Sequence, residues 1–155
     1  MPATNPPTDP AAALQWLVDR EAIRNLIVDF AMRLDDQDTD AYLENFVEDA
    51  IVVLPHGRVS GRAALAGMPK PPPDWTAQHL FGAIAIELDG DRATTRAYLA
   101  ATHVFGEITE NAHAGGWYEH VVVRTPDGWR FKELTLTILW ETKRPMIPKD
   151  MPGAS

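Results

Sequence analysis

The sequence predicts an α+β domain in which N-terminal helices pack on a strongly curved, antiparallel or mixed β-sheet. Early in the chain, Ile23, Ile27, Phe30 and Leu34 recur at spacings of four, three and four, which is typical of an amphipathic helix. The second half consists of extended runs separated by tight-turn sequences, which is typical of an antiparallel meander. Helices followed by a long bent sheet indicate an α+β fold, and a pocket is expected between the two layers.

Two helices are expected at the start of the domain. Residues 1–10 contain four prolines and little apolar material, so they are predicted to be a disordered tail. The first helix is predicted over residues 11–34, and Asp38 or Asp40 is suited to cap a second, shorter helix. The apolar residues predicted for that second helix are Tyr42, Leu43, Phe46 and Val47.

A short hairpin and a proline-rich segment follow. A β-branched run predicts a strand at residues 51–54, and after a Pro-His-Gly turn residues 58–60 are suited to return as its partner. Ser60 is suited to cap a brief helix over residues 61–67. Residues 68–74 contain four prolines, so we expect a surface segment that serves as a lid or as a spacer.

Long strands complete the domain. They are predicted over residues 76–88, 93–105, 115–124 and 129–142. In the last strand the apolar positions change from odd to even numbers, which predicts a β-bulge near Glu133 that bends the strand. The domain is therefore expected to span residues 11–143, followed by an extended tail over residues 144–155.

The composition restricts the class of partner. The formal charge is −8 and the pI is near 5, which disfavours nucleic acid and anionic membrane surfaces and favours a neutral small molecule. The chain has no cysteine, which excludes disulfides, thiolate nucleophiles and cysteine-ligated metals. No apolar run approaches the roughly 20 residues of a membrane span, so a soluble cytoplasmic protein is expected.

Asp35 and His79 are candidates for an acid/base pair. Asp35 follows Leu34 on the helical wheel, at the flank of the apolar stripe, from where a side chain can reach a pocket mouth. His79 lies on a predicted strand in which alternate side chains point inward. From the residues alone, the alternatives stay open that Asp35 belongs to a solvated acidic run and that His79 is a satisfied core or rim histidine.

His103 is a further candidate. It shares strand parity with Ala97, Leu99 and Ala101, a small-residue face suited to lining a cavity, so it is expected to act as a second acid or hydrogen-bond donor. A histidine at the rim of the sheet is the alternative interpretation. No His-x-x-x-His or His-x-His spacing occurs and the glycines form no phosphate fingerprint, so neither a metal nor a cofactor is expected.

Eight segments in one order resemble the SnoaL-like family of the nuclear transport factor 2-like superfamily. The segments are residues 17–26, 34–38, 46–50, 61–64, 78–80, 89–93, 116–119 and 125–130. The resemblance covers residues 12–142 and implies a cone-shaped α+β barrel with a deep apolar pocket, usually dimeric through the outer face of the sheet. Its members include scytalone dehydratase, bile-acid 7α-dehydratase, hexachlorocyclohexane dehydrochlorinase, polyketide cyclases and ketosteroid isomerase. A fold with so many chemistries does not name the reaction.

For the site, the resemblance implies a dyad of Asp35 and His79. The family's Leu-Asp-x-x-Asp and Thr-x-x-His patterns match residues 34–38 and 76–79. Some family dehydratases carry a tyrosine shortly before the aspartate, which is absent here, and Tyr42 on the second helix is expected to compensate. The expected substrate pocket consists of Tyr42, Phe30, Leu54, Trp75, Phe81, Tyr98, Tyr118 and Leu136.

The resulting expectation is an acid/base enzyme that needs no cofactor. It is a dehydratase, which is a lyase, or an isomerase or cyclase that acts on a small apolar cyclic, steroid-like or polyketide-like substrate. The alternatives are an epoxide hydrolase and a non-catalytic binding or assembly module similar to the small subunits of ring-hydroxylating oxygenases. A homodimer or higher homo-oligomer through the sheet face is expected.

Overall fold

Helices cover one side of a six-stranded mixed sheet that is not closed into a barrel. The computed structural model describes residues 5–142, without the side chains of residues 107–110. The helices are α1 (Pro10–Asp35), α2 (Thr39–Glu44) and α3 (Arg62–Ala66). The strands are β1 (Phe46–Leu54), β2 (Gly57–Ser60), β3 (Trp75–Asp89), β4 (Arg92–Phe105), β5 (Glu107–Thr125) and β6 (Gly128–Glu141). Their order in the sheet is β2-β1-β6-β5-β4-β3, with β1 parallel to β6 and the other pairs antiparallel.

The long first helix forms as its sequence predicts. Asp9 caps it, because its carboxylate accepts a hydrogen bond from the Ala12 N–H at 2.9 Å. Ile23, Ile27 and Phe30 are buried against the sheet, which confirms the predicted apolar stripe. The aromatic and aliphatic core of the domain therefore lies between α1 and the inner face of the sheet.

A charged anchor fixes α1 to the far end of the sheet. The Arg124 guanidinium donates to both oxygens of the buried Asp19 carboxylate, at 2.8 and 2.7 Å. The Trp129 indole N–H donates to the same carboxylate at 3.2 Å. The hydrogen bonds from Arg124 are the main reason that the pKa of Asp19 lies below its usual value, while burial opposes that shift.

Two local predictions are wrong. Phe46 and Val47 do not continue the second helix, which ends at Glu44 after Asp38 caps it, but begin strand β1. The Phe131 N–H donates to the Asn45 carbonyl at 2.8 Å, so pairing with β6 competes successfully with helix extension at this point. Ser60 is likewise the last residue of β2 rather than a cap, and the residue before α3 is Gly61, whose φ of 88° suits glycine.

Bulges bend the long strands around the helices. The predicted bulge near Glu133 is confirmed, because the β5–β6 register changes between Val121 opposite Glu133 and Val122 opposite Phe131. The sequence patterns did not predict the irregularity in β3, where the register with β4 changes after Gly82 and Ala83 adopts a φ of 47°. These bends curve the sheet and leave room for a cavity beneath α1 and α2.

The disordered tail predicted over residues 1–10 stays a prediction, because residues 1–4 lie outside the described part of the chain. Residues 5–9 are exposed and lead into the helix at Pro10, whereas the tail predicted over residues 144–155 lies outside the described residues. Within residues 5–142, no helix is long and apolar enough to cross a membrane.

Candidate active site

An apolar cavity of about 270 Å³ opens between the helices and the inner face of the sheet. Six of the residues predicted for the pocket line it, namely Phe30, Tyr42, Leu54, Trp75, Tyr118 and Leu136. His79 and His103 also line it. Because most of the lining is aliphatic or aromatic, the few polar groups in the wall determine what chemistry can occur there.

Asp35 and His79 meet at the wall of this cavity. The His79 Nδ1 lies 2.6 Å from Asp35 Oδ1, and the backbone N–H of His79 donates to Asp35 Oδ2 at 3.0 Å. Asp35 is the last residue of α1, so its side chain projects from the helix end onto β3. Only 6% of the His79 side chain is exposed. Since an ionised carboxylate only accepts hydrogen bonds, Nδ1 is the protonated nitrogen of His79 and Nε2 carries the lone pair.

His103 lies beside His79 because of the strand register. His79 is paired with Ala101 and Ala77 with His103, which makes the two histidines diagonal neighbours on the inner face. Their Nε2 atoms are 3.4 Å apart. Trp75 packs edge-on against the His103 ring, with the ring centroids 4.8 Å apart. His79 and His103 therefore lie side by side in one wall of the cavity, and Asp35 contacts His79 from the end of α1.

Two phenols in the cavity wall supply further donors. Tyr42 and Tyr118 both line the cavity, and burial raises the pKa of each above the usual value for tyrosine. Both side chains therefore stay protonated over the physiological range. Tyr118 packs edge-on against Phe30, with their ring centroids 5.6 Å apart, and this contact fixes the ring within the wall.

The sequence patterns did not single out Gln37. It has a φ of 57°, in the left-handed region, directly after the residue that terminates α1. Its side-chain amide donates to the Trp75 carbonyl at 3.0 Å and lines the cavity. Gln37 thereby ties the α1–α2 turn to the start of β3. The detectable signal was its position after a helix end, where a left-handed residue is common.

The rim of the cavity also contains residues that were not predicted. Arg33 lies at the rim, where it contacts Asp29 at 3.2 Å and Asp38 at 3.4 Å. Residues 68–71 of the proline-rich segment line the same opening. Whether this segment is a lid or a spacer stays a prediction.

Two predicted pocket residues do not line the cavity. Tyr98 is 52% exposed on the outer face of the sheet, because the buried positions of β4 are the odd-numbered ones. Its ring lies beside Trp117, with the ring centroids 6.5 Å apart. Phe81 points inward but packs behind the wall, against Phe30 and Tyr118. The structure thus corrects the assignment of both residues to the substrate pocket.

Two further histidines, His113 and His120, lie outside the cavity lining. The His113 ring contacts the Thr102 hydroxyl at 2.9 Å, outside the cavity. His120 is buried in the core, and its Nδ1 lies 2.7 Å from the Thr95 hydroxyl. Burial lowers the pKa of His120 to about 3, so its ring stays neutral in the folded protein. Among residues 5–142, no three histidine, aspartate or glutamate side chains are grouped as a metal site requires.

The sequence matches the family model described as a SnoaL-like domain over residues 15–135. A relative from Mycobacterium tuberculosis, an uncharacterized protein, is 32% identical over 123 residues, which covers 72% of this chain and 80% of the relative.

Similar solved structures share the fold. A proposed scytalone dehydratase from Novosphingobium aromaticivorans superposes with a TM-score of 0.74 at 23% identity and covers 84% of this chain and 91% of its own. A type 2 hexachlorocyclohexane dehydrochlorinase superposes with a TM-score of 0.75 at 18% identity and covers 86% of this chain and 94% of its own. At these identities the likeness concerns the fold alone.

Proposed function

The chain belongs to the SnoaL-like family, and from that premise we propose that it is a cofactor-independent acid/base enzyme, a dehydratase of small cyclic compounds. The observation that carries the proposal is the 2.6 Å contact between His79 Nδ1 and Asp35 Oδ1. This contact orients the imidazole and leaves Nε2, its basic nitrogen, at the cavity side. A pocket that only binds an apolar ligand has no need of an oriented base.

In the proposed reaction, His79 accepts a proton from a carbon beside a carbonyl group. The electron pair of the broken C–H bond forms a C=C bond, and the C–O bond to a hydroxyl group on the next carbon breaks. The hydroxide leaves as water after it takes a proton from His103 or from a tyrosine. Asp35 stabilises the imidazolium that forms on His79. The 3.4 Å contact between the two Nε2 atoms gives the proton a route back from His79 to His103.

The cavity favours a compact substrate. Its volume of about 270 Å³ is close to the lower end of the roughly 300–1,000 Å³ typical of ligand pockets. Such a space suits one or two fused rings better than a steroid nucleus. The protonated phenols of Tyr42 and Tyr118 would donate hydrogen bonds to a carbonyl oxygen, which becomes more negative as the proton leaves.

The names of the structural neighbours support an elimination reaction. One is described as a scytalone dehydratase, whose name implies loss of water, and another as a hexachlorocyclohexane dehydrochlorinase, whose name implies loss of hydrogen chloride. Both names imply removal of a proton and a leaving group from neighbouring carbons. An oriented imidazole in an apolar cavity is suited to that chemistry.

The proposal is tested with a panel of one-ring and two-ring β-hydroxyketones. Incubation in D₂O followed by mass spectrometry detects both deuterium exchange beside the carbonyl and loss of water. We expect the wild-type protein to catalyse both for at least one member, and His79→Ala or Asp35→Asn to slow both by roughly 10²- to 10⁴-fold. His113→Ala is the matched control, because this histidine lies outside the cavity.

Two results would contradict the proposed dehydratase function. If the panel members bind, as shown by calorimetry, but undergo neither exchange nor water loss, the pocket is a binding site. If turnover occurs and His79→Ala retains it, another group is the base.

The proposed assembly is a homodimer through the outer face of the sheet. Leu80 and Tyr98 are 60% and 52% exposed on that face, and Trp140 is 56% exposed near the end of β6. Exposed apolar side chains on one surface are typical of protein interfaces. We expect Leu80→Lys together with Tyr98→Lys to halve the mass that sedimentation equilibrium measures. An unchanged mass would mean that this face is not the interface of the homodimer.

A further inference from the structure

Helix α1 carries a second apolar stripe on the side that faces solvent. Leu14, Val18, Val28 and Met32 are 63%, 53%, 44% and 59% exposed. Leu17, which is 56% exposed, flanks this stripe, so five large aliphatic side chains of one helix are exposed. Such a cluster differs from a surface with isolated apolar residues. On the helical wheel the stripe lies opposite the buried residues of α1, so it does not belong to the core.

The stripe has the period of a helix–helix seam. With the exposed residues Glu21 and Asn25 in its middle, its positions are 14, 18, 21, 25, 28 and 32. Spacings of four and three alternate along the stripe, so positions 14, 21 and 28, and likewise 18, 25 and 32, recur every seven residues. This heptad repeat keeps one seam facing a partner helix. The seam is ~27 Å long at 1.5 Å per residue.

We propose that α1 pairs in antiparallel orientation with α1 of a second copy of this chain, about a two-fold axis level with residue 23. In this register Leu14 meets the partner's Met32 and Val18 meets the partner's Val28. The pairing is isologous, so each contact occurs twice. Every exposed aliphatic residue of the seam then faces another one.

The polar middle of the seam favours this orientation. Glu21 lies opposite the partner's Asn25, whose amide can donate to the carboxylate. A parallel pair in register would instead place two Glu21 carboxylates against each other. Arg24 lies 3.8 Å from Glu21 on the same helix and reduces its charge. A hydrogen bond between Glu21 and the partner's Asn25 thus favours an antiparallel second copy over a parallel one, in the way that polar seam residues specify orientation and register in coiled coils.

This interface is separate from the sheet and from the cavity. The seam faces away from the core, and the outer sheet face lies on the other side of the domain. A pair formed through α1 therefore leaves the outer sheet face free for another contact.

Introduced cysteines test the pairing, because the chain has none of its own. The experiment mixes full-length Val18→Cys and Val28→Cys proteins in equal amounts under mild oxidation and measures disulfide-linked dimers on non-reducing gels. In the proposed pair, position 18 of one copy faces position 28 of the other. We expect the mixture to cross-link roughly tenfold or more faster than either protein alone, because facing thiols have effective concentrations in the millimolar range.

The single variants are the matched controls. In an antiparallel pair, equal positions are displaced by ten residues, about 15 Å along the axis, which exceeds the reach of a disulfide. If each variant cross-links with itself as fast as the mixture does, the pairing is parallel or random and the proposal is wrong. If nothing cross-links and the thiols react freely with a labelling reagent, the seam is unpaired. If the thiols do not react with the reagent although the protein is monomeric, another segment of the chain covers the seam and the proposal is wrong.

Introduced charges at positions 18 and 28 provide an independent test of the pairing. Val18→Lys and Val28→Glu each place a charge against a valine of the partner, so we expect each to reduce the mass measured by sedimentation equilibrium. The double variant places the lysine against the partner's glutamate, and we expect the larger mass to return. Circular dichroism establishes that each variant is folded. A mass that none of the three variants changes would overturn the proposal.

Discussion

Asp35 holds His79 at two points, since one carboxylate oxygen contacts the imidazole Nδ1 at 2.6 Å and the other accepts the backbone N–H of the same residue at 3.0 Å. The second bond fixes the carboxylate relative to strand β3. The first then fixes the ring relative to the carboxylate. The orientation of His79 is therefore determined by the backbone on which it lies and by the end of α1.

This arrangement predicts a single tautomer of His79. In the neutral ring the Nδ1–H donates to Asp35, so Nε2 is the nitrogen without a proton. Long-range ¹H–¹⁵N correlation spectra should show Nε2 with the shift of a bare nitrogen. In Asp35→Ala the acceptor is lost, and we expect a mixture of both tautomers. Unchanged His79 spectra in Asp35→Ala would mean that another group selects the tautomer, and His113, outside the cavity, is the internal reference.

The fold was largely predictable because its local signals agree with its tertiary packing. The apolar stripe of α1 and the turns between the long strands correspond closely to the observed elements. The errors arise where tertiary pairing overrides a local preference. Phe46 has an acceptable helical context, but its strand pairs with Phe131 of β6, 85 positions later in the sequence. A local sequence pattern cannot predict a strand pairing with a residue so distant in the sequence.

Most of the residues that the sequence indicated for the site line the cavity, but the distances between them were not predicted. Helix-flank position and strand parity indicated that Asp35 and His79 face inward, whereas their separation depends on how α1 lies across β3. Parity also explains the error at Tyr98, since the odd-numbered residues of β4 are buried and an even-numbered neighbour must point outward. The position of Gln37 was not predicted, because its side chain binds the Trp75 carbonyl, 38 residues away in the sequence.

His120 is expected to make the protein less stable in acid. Burial lowers its pKa to about 3, below the value of about 6.5 in the unfolded chain. Between pH 6.5 and pH 3, His120 binds a proton in the unfolded chain but stays neutral in the folded protein. The free energy of unfolding therefore falls as the pH is lowered over this range, by up to about 1.4 kcal/mol per pH unit. His120→Phe keeps an aromatic ring beside Phe131 and removes this contribution. Urea denaturation between pH 7 and pH 4 measures the difference in slope.

The control for this prediction concerns Thr95, which loses its hydrogen-bond partner in His120→Phe. An unpaired buried hydroxyl costs about 1–3 kcal/mol at every pH. It therefore lowers the free energy of unfolding by the same amount throughout and leaves its dependence on pH unchanged. Thr95→Val combined with His120→Phe should recover part of that loss. Parallel curves for the wild type and His120→Phe would show that His120 does not contribute to acid sensitivity.

Asp19 and Asp91 both contact Arg124 but should differ in their contribution to stability. Asp19 is 5% exposed and accepts two hydrogen bonds from Arg124, whereas the Asp91 side chain is 83% exposed. Asp19→Ala leaves the arginine and the Trp129 N–H without their shared acceptor. We expect a loss between about 1 kcal/mol, typical of exposed pairs, and the 3–5 kcal/mol of buried ones, because Arg124 itself is partly exposed.

The matched variant is Asp91→Ala, for which we expect a loss of less than about 1 kcal/mol. The pH dependence gives a second check. The pKa of Asp19 is lowered in the fold, so its stabilisation is complete above the unfolded value near 3.9 and disappears as the pH falls through the folded pKa. Equal losses for the two aspartate variants would contradict this account.

Gly116 and Gly82 provide a last comparison, on how the sheet bends beside the cavity. A Cβ built on Gly116 would lie 1.9 Å from the Thr137 carbonyl oxygen, where the β5–β6 register changes between Gly115 and Gly116. Backbone must move to accept Gly116→Ala, so we expect a loss of several kcal/mol or a failure to fold. At Gly82 a Cβ meets nothing within 4 Å, and Gly82→Ala should change the free energy of unfolding by less than about 1 kcal/mol in either direction. Thermal denaturation of both variants, followed by circular dichroism, measures the contrast, and similar midpoints would mean that β5 and β6 can separate at this bulge without cost.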